Sequence, residues 1–139
     1  MAKNLLSIND LSKDEIIGLI EFSNNFVDDE GNFRKEDLFP DKTIANVFCE
    51  PSTRTKLSFE IAASNLGCSV IDFNIDNSSI QKGESIIETI DALHLMGVDL
   101  CVLRHPESVI KDLADYLPSM SFINAVSYTH LTLPTIMPV

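Results

Sequence analysis

Three hydroxyl side chains and one guanidinium follow one another from Ser52 to Thr55. A guanidinium can bind phosphate oxygens in a bidentate way, and hydroxyl groups can add further hydrogen bonds. If this stretch opens a helix, free backbone N–H groups and the positive end of the helix dipole also attract an anion. The stretch therefore predicts a phosphate or oxyanion site, with Arg54 as its leading candidate. The alternative is an ordinary helix start, with Ser52 or Thr53 as N-cap and Arg54 facing solvent.

The neighbouring residues predict the elements that would position this stretch. An apolar run at 43–48 indicates a buried strand, and Pro51 favours leaving that strand. Apolar residues from Phe59 to Leu66 recur at the spacing of one helical face, which predicts a helix over 54–66. The site would thus lie in a strand-to-helix turn, and Gly67 would end the helix.

The remainder of the chain repeats this alternation of strand and helix. A Ser-x-x-Glu capping box at Ser12 predicts a first helix running to about residue 26. We expect an α/β fold: a parallel four-stranded sheet with helices on both faces and right-handed crossovers. The predicted strands are 43–48, 69–73, 98–103 and 121–125, and the later helices begin at 84 and 107.

Ligands of such sheets bind at the carboxyl ends of the strands, and two further polar segments follow strand ends. One is the 74–83 loop with Ser78, Ser79 and Lys82, and the other is Arg104-His105. The loop could equally be a solvated connection, and Arg104 could equally form a salt bridge with a nearby carboxylate. Their convergence with Ser52–Thr55 on one edge is nevertheless the strongest sign of a site.

Composition restricts the function further. The chain has 139 residues, enough for one domain, and a formal net charge of -11, which argues against nucleic acid and anionic membranes as partners. A local basic cluster still permits a small anionic ligand. Cys49, Cys68 and Cys101 lack metal-site spacing and indicate buried free thiols in a reducing, cytoplasmic setting. No pattern indicates a metal, a cofactor or a membrane span, and His94 is interpreted as structural.

Three segments, taken in order, resemble the catalytic subunit of the aspartate carbamoyltransferase family. They are Pro51-Ser-Thr-Arg-Thr-x-Leu-Ser-Phe-Glu60, Ser78-x-x-Gln-Lys-Gly-Glu84 and Arg104-His-Pro106. The first segment is shared with ornithine carbamoyltransferase, whereas the other two favour the aspartate enzyme. The resemblance covers about residues 1–125 and implies a carbamoyl-phosphate-binding domain from a two-domain subunit.

The resemblance also implies roles for individual residues. Ser52, Thr53, Arg54 and Thr55 would hold the phosphate, and Thr55 and Arg104 would reach the carbonyl oxygen. Ser78 and Lys82 would enter the active site of a neighbouring subunit, so the working unit would be a homotrimer, with or without regulatory subunits. The implied reaction transfers the carbamoyl group of carbamoyl phosphate to L-aspartate in pyrimidine biosynthesis.

The chain departs from the family after residue 125. We expect an incomplete domain, inactive alone, because the family's His-Pro-Thr-Gln segment and aspartate domain are missing. From Val126 to Val139 there is no Asp, Glu, Lys or Arg, and Val126–Thr135 matches a translated transposase-based sequencing adaptor. We therefore interpret 126–139 as a non-native tail.

Other interpretations remain open. The chain could belong to an ornithine or other carbamoyltransferase, because the missing half selects the acceptor amine. It could instead be a non-catalytic module that binds carbamoyl phosphate or caps an assembly. A decayed reading frame with no stable fold is the third alternative.

Overall fold

The computed structural model describes residues 4–74, 85–105 and 109–125. Within these ranges, four strands alternate with three helices after the first helix, as the sequence predicts. Two short 3-10 segments, Ile8–Asp10 and Asn24–Phe26, flank the first helix. The elements are α1 (Lys13–Ser23), β1 (Thr43–Phe48), α2 (Thr53–Asn65), β2 (Ser69–Asn74), α3 (Ser85–Leu95), β3 (Leu100–Arg104), α4 (Ile110–Tyr116) and β4 (Ser121–Asn124).

All strands of the sheet are parallel, and their order is β2-β1-β3-β4. The chain passes from β1 outward to β2 and then crosses back to β3 on the other side of β1. The carboxyl ends of β1 and β3 are adjacent because Phe48 and Arg104 are register partners. A crevice opens at such a switch point in α/β sheets, which places the turn after β1 beside the end of β3.

Helices cover both faces of the sheet, as expected. On one face, α3 and α4 bury residues such as Ile90 and Leu113 against alternate strand residues, including Val47 and Leu103. On the other face, Phe59 of α2 packs in a smaller cluster around Phe48 and Val102. Ile87 of α3 is 37% exposed, whereas Ile86 and Ile90 on the same helix are buried.

The amino-terminal segment lies along β4. Leu5 forms an isolated parallel bridge with Ile123, and the Leu5 N–H donates to the Phe122 carbonyl at 2.8 Å. The Asn4 side-chain oxygen accepts from the Phe122 N–H at 2.9 Å. This segment therefore satisfies backbone groups on the outer edge of β4.

Helix α1 has the predicted capping box, formed by Ser12 and Glu15. The helix ends at Ser23, and the 3-10 turn after it completes the predicted span to residue 26. It contains no buried residue, and Leu19 and Phe22 line a cavity of about 990 Å³ between α1 and the sheet. None of the helices in the described ranges is both long enough and apolar enough to cross a membrane.

Element boundaries differ from the predictions by a few residues. Strand β3 begins at Leu100 rather than 98, and α4 begins at Ile110 rather than 107. Residues 106–108 lie outside the described part of the chain, as do 75–84 and 126–139. Asn74, predicted as the first loop residue, is instead the last residue of β2. The rest of the predicted loop, 75–83, and the tail stay predictions.

Candidate anion site at the carboxyl edge of the sheet

The turn from β1 into α2 presents helix N–H groups that have no acceptor among the described residues. Ser52 is the N-cap residue, with φ −160° and ψ 80°, but its side chain makes no capping hydrogen bond. The first helical hydrogen bond runs from the Lys56 N–H to the Ser52 carbonyl at 3.0 Å. The N–H groups of residues 53–55 come before this bond and have no acceptor within the helix. Ser52 thus has the position of an N-cap, while its hydroxyl remains available to a ligand.

The side chains of this turn are accessible. Thr53 and Arg54 are exposed, and Ser52 and Thr55 are half-buried. Within the described residues, Arg54 forms no ion pair. An anion at the helix start could therefore contact N–H groups, hydroxyls and the Arg54 guanidinium together.

Arg104, in contrast, is buried and fixed, with 7% of its surface exposed. Its Nε lies 3.2 Å from the Glu50 Oε1 atom, and its Nη1 donates to the Ala125 carbonyl at 2.9 Å. The predicted alternative of a salt bridge is thus observed. These contacts hold the guanidinium among the carboxyl ends of β1, β3 and β4.

Sequence reasoning missed Glu50, which precedes the Ser52–Thr55 turn by two positions and pairs with Arg104. Glu50 follows β1 by two positions, and the Cys49 N–H donates to the Arg104 carbonyl at 2.7 Å, which continues the β1–β3 pairing. An acidic residue after one strand and a basic residue after its neighbour could have indicated this pair, because parallel strands end at the same edge.

Of the three predicted segments, Ser52–Thr55 and Arg104-His105 follow neighbouring strands, and Arg104 pairs with Glu50, two positions before Ser52. His105 is also buried, with 8% exposed. The third segment, with Ser78, Ser79 and Lys82, lies outside the described residues.

The Cys49 thiol beside this site is unsuited to nucleophilic chemistry. Burial, assisted by the Glu50 charge, raises the pKa of Cys49 to about 11. Burial also raises the pKa of Cys101, and Cys68 is only half-buried rather than buried as expected. The site therefore offers hydrogen-bond donors and cations rather than a thiolate. Across the described ranges, no group of three or more His, Cys, Asp or Glu residues could hold a metal ion.

The cavity beside α1 is separate from this site. Its lining includes Lys42, Asp99 and Ser119, which precede strands and so lie at the amino edge of the sheet. The anion site is instead an open turn at the carboxyl edge.

Comparison with known proteins identifies one family. The family described as "Aspartate/ornithine carbamoyltransferase, carbamoyl-P binding domain" matches residues 3–133. This match extends past residue 125, where the composition changes. The aspartate carbamoyltransferase catalytic subunit of Streptococcus gordonii is 43% identical over 105 residues, covering 76% of this chain and 33% of the relative.

Solved structures give the same result. The chain resembles the catalytic subunit of M. jannaschii aspartate transcarbamoylase with a TM-score of 0.69 and 38% identity, covering 89% of this chain and 42% of that one. It also resembles Trypanosoma cruzi aspartate transcarbamoylase in complex with phosphate, with a TM-score of 0.76, 31% identity and coverage of 88% and 38%. This chain thus spans about a third to two fifths of the length of the relatives it matches.

Proposed function

This chain belongs to the aspartate/ornithine carbamoyltransferase family, and we propose that it is the carbamoyl-phosphate-binding part of an aspartate carbamoyltransferase. The observation that carries the proposal is the uncapped start of α2, which Glu50 connects to the buried Arg104. Ser52, Thr53, Arg54 and Thr55 would bind the phosphate group. Thr55 and Arg104 would stabilise the carbonyl oxygen.

The proposed reaction needs no covalent enzyme intermediate. The α-amine of L-aspartate attacks the carbonyl carbon, and negative charge grows first on the carbonyl oxygen and then on the departing phosphate. Fixed donors and cations aimed at these oxygens stabilise that charge, and loss of one such donor can cost about 10²–10³ in rate. Arg104, held by Glu50 and Ala125, is suited to this role because it is already ordered.

Aspartate is the proposed acceptor because the relatives matched at 36–43% identity are named aspartate carbamoyltransferase catalytic subunits. Since this chain spans only part of their length, we propose that it binds carbamoyl phosphate without completing the transfer alone.

We propose that the domain comprises residues 1–125 and that residues 126–139 are a non-native tail. Sequencing source DNA across codon 125 tests that boundary, since genuine codons for 126–139 would overturn the tail proposal.

Binding of carbamoyl phosphate and inorganic phosphate tests the proposed site directly. We expect both to shift the backbone amide NMR signals of residues 53–55. Arg54→Ala should weaken binding by about tenfold or more, because a charge-assisted bidentate contact is lost. Arg34→Ala, which removes another exposed arginine, is the matched control and should bind normally. Equal binding by both variants would remove Arg54 from the site.

The assembly is proposed to be a cytoplasmic homotrimer in which Ser78 and Lys82 serve a neighbouring subunit. In the longer protein, inactive Arg54→Ala and Lys82→Ala subunits should regain activity when mixed, because some mixed sites would contain both native residues. Absence of recovery, with subunit exchange demonstrated, would argue against shared sites.

A further inference from the structure

Lys56, in the first turn of α2, is held to the sheet at two points. Its carbonyl accepts a hydrogen bond from the Asn46 side-chain Nδ2 at 3.4 Å. Its Nζ lies 2.8 Å from the Asp72 Oδ1 atom. Asn46 of β1 and Asp72 of β2 are register partners, so both contacts come from one position across two neighbouring strands. The two contacts fix the helix start relative to both strands.

Asn46 is the polar exception on its strand face. Ile44 and Phe48, two residues to either side, pack in the apolar cluster beneath α2. Asn46 is 0% exposed, and its Oδ1 atom has no hydrogen-bond partner within the described residues. A buried acceptor without a partner destabilises a fold, and an apolar side chain of similar shape would avoid that effect. Packing alone therefore does not account for an amide at this position.

A contribution to stability does not explain the ion pair of Asp72 with Lys56 either. Its side chain is 41% exposed, and ion pairs as exposed as this contribute little to stability. A carboxylate near an anion site also repels the ligand. The contact to Lys56 nevertheless orders a residue that directly follows Thr55, the last member of the proposed site.

We propose that Asn46 and Asp72 are positioning residues for the anion site at the start of α2. By holding Lys56, they set the height of the first helical turn above β1 and β2. The N–H groups, hydroxyls and Arg54 guanidinium then keep a fixed placement relative to Arg104. This inference rests on the proposed phosphate-binding function. Small displacements of binding groups have large effects in such sites.

Asn46→Leu separates positioning from stability. Loss of the hydrogen bond should weaken inorganic phosphate binding by about two- to tenfold, the range of a net hydrogen-bond contribution. The Tm should stay equal or rise, because the unpaired oxygen is also removed. Phosphate titration followed by the amide signals of residues 53–55, together with thermal unfolding, measures both quantities. A lower Tm with unchanged affinity would make Asn46 merely structural and overturn its role.

Asp72→Asn gives a test that does not depend on core packing. Removal of a negative charge alone would strengthen phosphate binding, whereas loss of positioning should weaken it by about three- to fivefold. Asp41→Asn is the matched control, since it removes the same charge from an exposed residue before β1. Affinity that is unchanged or increased in Asp72→Asn would overturn the role of Asp72.

Phosphate binding by the unaltered chain distinguishes failure of the proposed function from failure of the positioning roles. If it binds no phosphate, the proposed function and the positioning roles both fail. If it binds phosphate and both variants bind as tightly, the positioning inference alone fails. Should Asn46→Leu not fold, Asp72→Asn decides the question.

Discussion

Cys49 shows how burial sets the chemistry of a residue next to the proposed site. It is 1% exposed, and Glu50 adds a negative charge beside its thiol. Both effects oppose the thiolate and raise the pKa from 9.0 to about 11. At neutral pH the thiol is therefore protonated and behaves as a small apolar side chain.

This shift predicts a loss of stability at alkaline pH. Above pH 9 the unfolded thiol loses its proton, whereas the native thiol keeps it until about pH 11. The unfolded state then binds fewer protons, so the free energy of unfolding falls as pH rises between these values, by about 1.4 kcal/mol per pH unit for one thiol. Urea unfolding at several pH values should show a shallower decline for Cys49→Ala than for the unaltered chain. Parallel declines would contradict the assigned cause.

At this scale, sequence reasoning finds residues whose type is informative on its own. Arg54 and its neighbouring hydroxyls are visible as a cluster, and the end of an apolar strand identifies Arg104. Glu50 and Asp72 have no distinguishing sequence pattern around them. Asn46 interrupts an apolar run, but the sequence does not indicate which residue it would bond to. Their roles depend on register between strands far apart in the chain, which a single sequence does not specify.

At the scale of elements, the end of α2 depends on a close approach to the preceding loop. Gly67 has φ +85°, and an added Cβ would lie against the Asp37 carboxylate and 3.0 Å from its Cα atom. Three hydrogen bonds hold this loop to the helix end, from the N–H groups of Glu36, Leu38 and Phe39 to the carbonyls of Asn65 and Leu66. The helix end and the loop before β1 therefore form one unit.

Gly67→Ala should consequently lower the free energy of unfolding by more than the cost of placing alanine at a positive φ, because the added Cβ would also collide with Asp37. Gly31 has the same φ, +85°, but nothing lies within 4 Å of an added Cβ, so Gly31→Ala isolates the conformational term. We expect about 1–2 kcal/mol for Gly31→Ala. Gly67→Ala should lose about 1–3 kcal/mol more, because the loop must move. Denaturant unfolding measures the free energy of unfolding of both variants. Equal losses of stability would show that the contact between Gly67 and Asp37 leaves room for a Cβ atom.

Elements themselves were largely predictable. Strand β1 and the helix after it follow from hydrophobic periodicity, and the capping box of α1 follows from a local pattern. Boundaries such as the start of β3 were less accurate because hydrogen bonds to other strands determine them. The Asp99 N–H, for example, donates to the Thr43 carbonyl just before β3 begins.

At the scale of the whole molecule, α1 is packed most loosely among the described helices, because none of its residues is buried. Leu19 and Phe22 are 54% and 58% exposed although they face the cavity beside the sheet. This cavity is an open apolar groove, and such a groove favours binding of hydrophobic molecules or self-association.

We expect a hydrophobic fluorescent dye to bind in this groove. Replacing Leu19 and Phe22 together with Gln should reduce the dye signal strongly, with little change in Tm, because neither residue is buried. Replacing Leu57 and Ile61 with Gln is the matched control, since both are exposed on α2 and neither lines the groove. A similar loss of signal in both double variants would place the dye elsewhere.

The pairing of the amino-terminal segment with β4 has a consequence for the order of folding. The hydrogen bonds between Asn4 and Phe122 and between Asn124 and Leu6 each join residues 118 positions apart. During synthesis, residues 4–6 cannot form these hydrogen bonds until β4, more than a hundred residues later, has been made. Contacts of such long range close late, because the entropy of a large loop must be overcome first. Until that step, β4 has an open outer edge, and the nascent chain is most exposed to mispairing with another molecule.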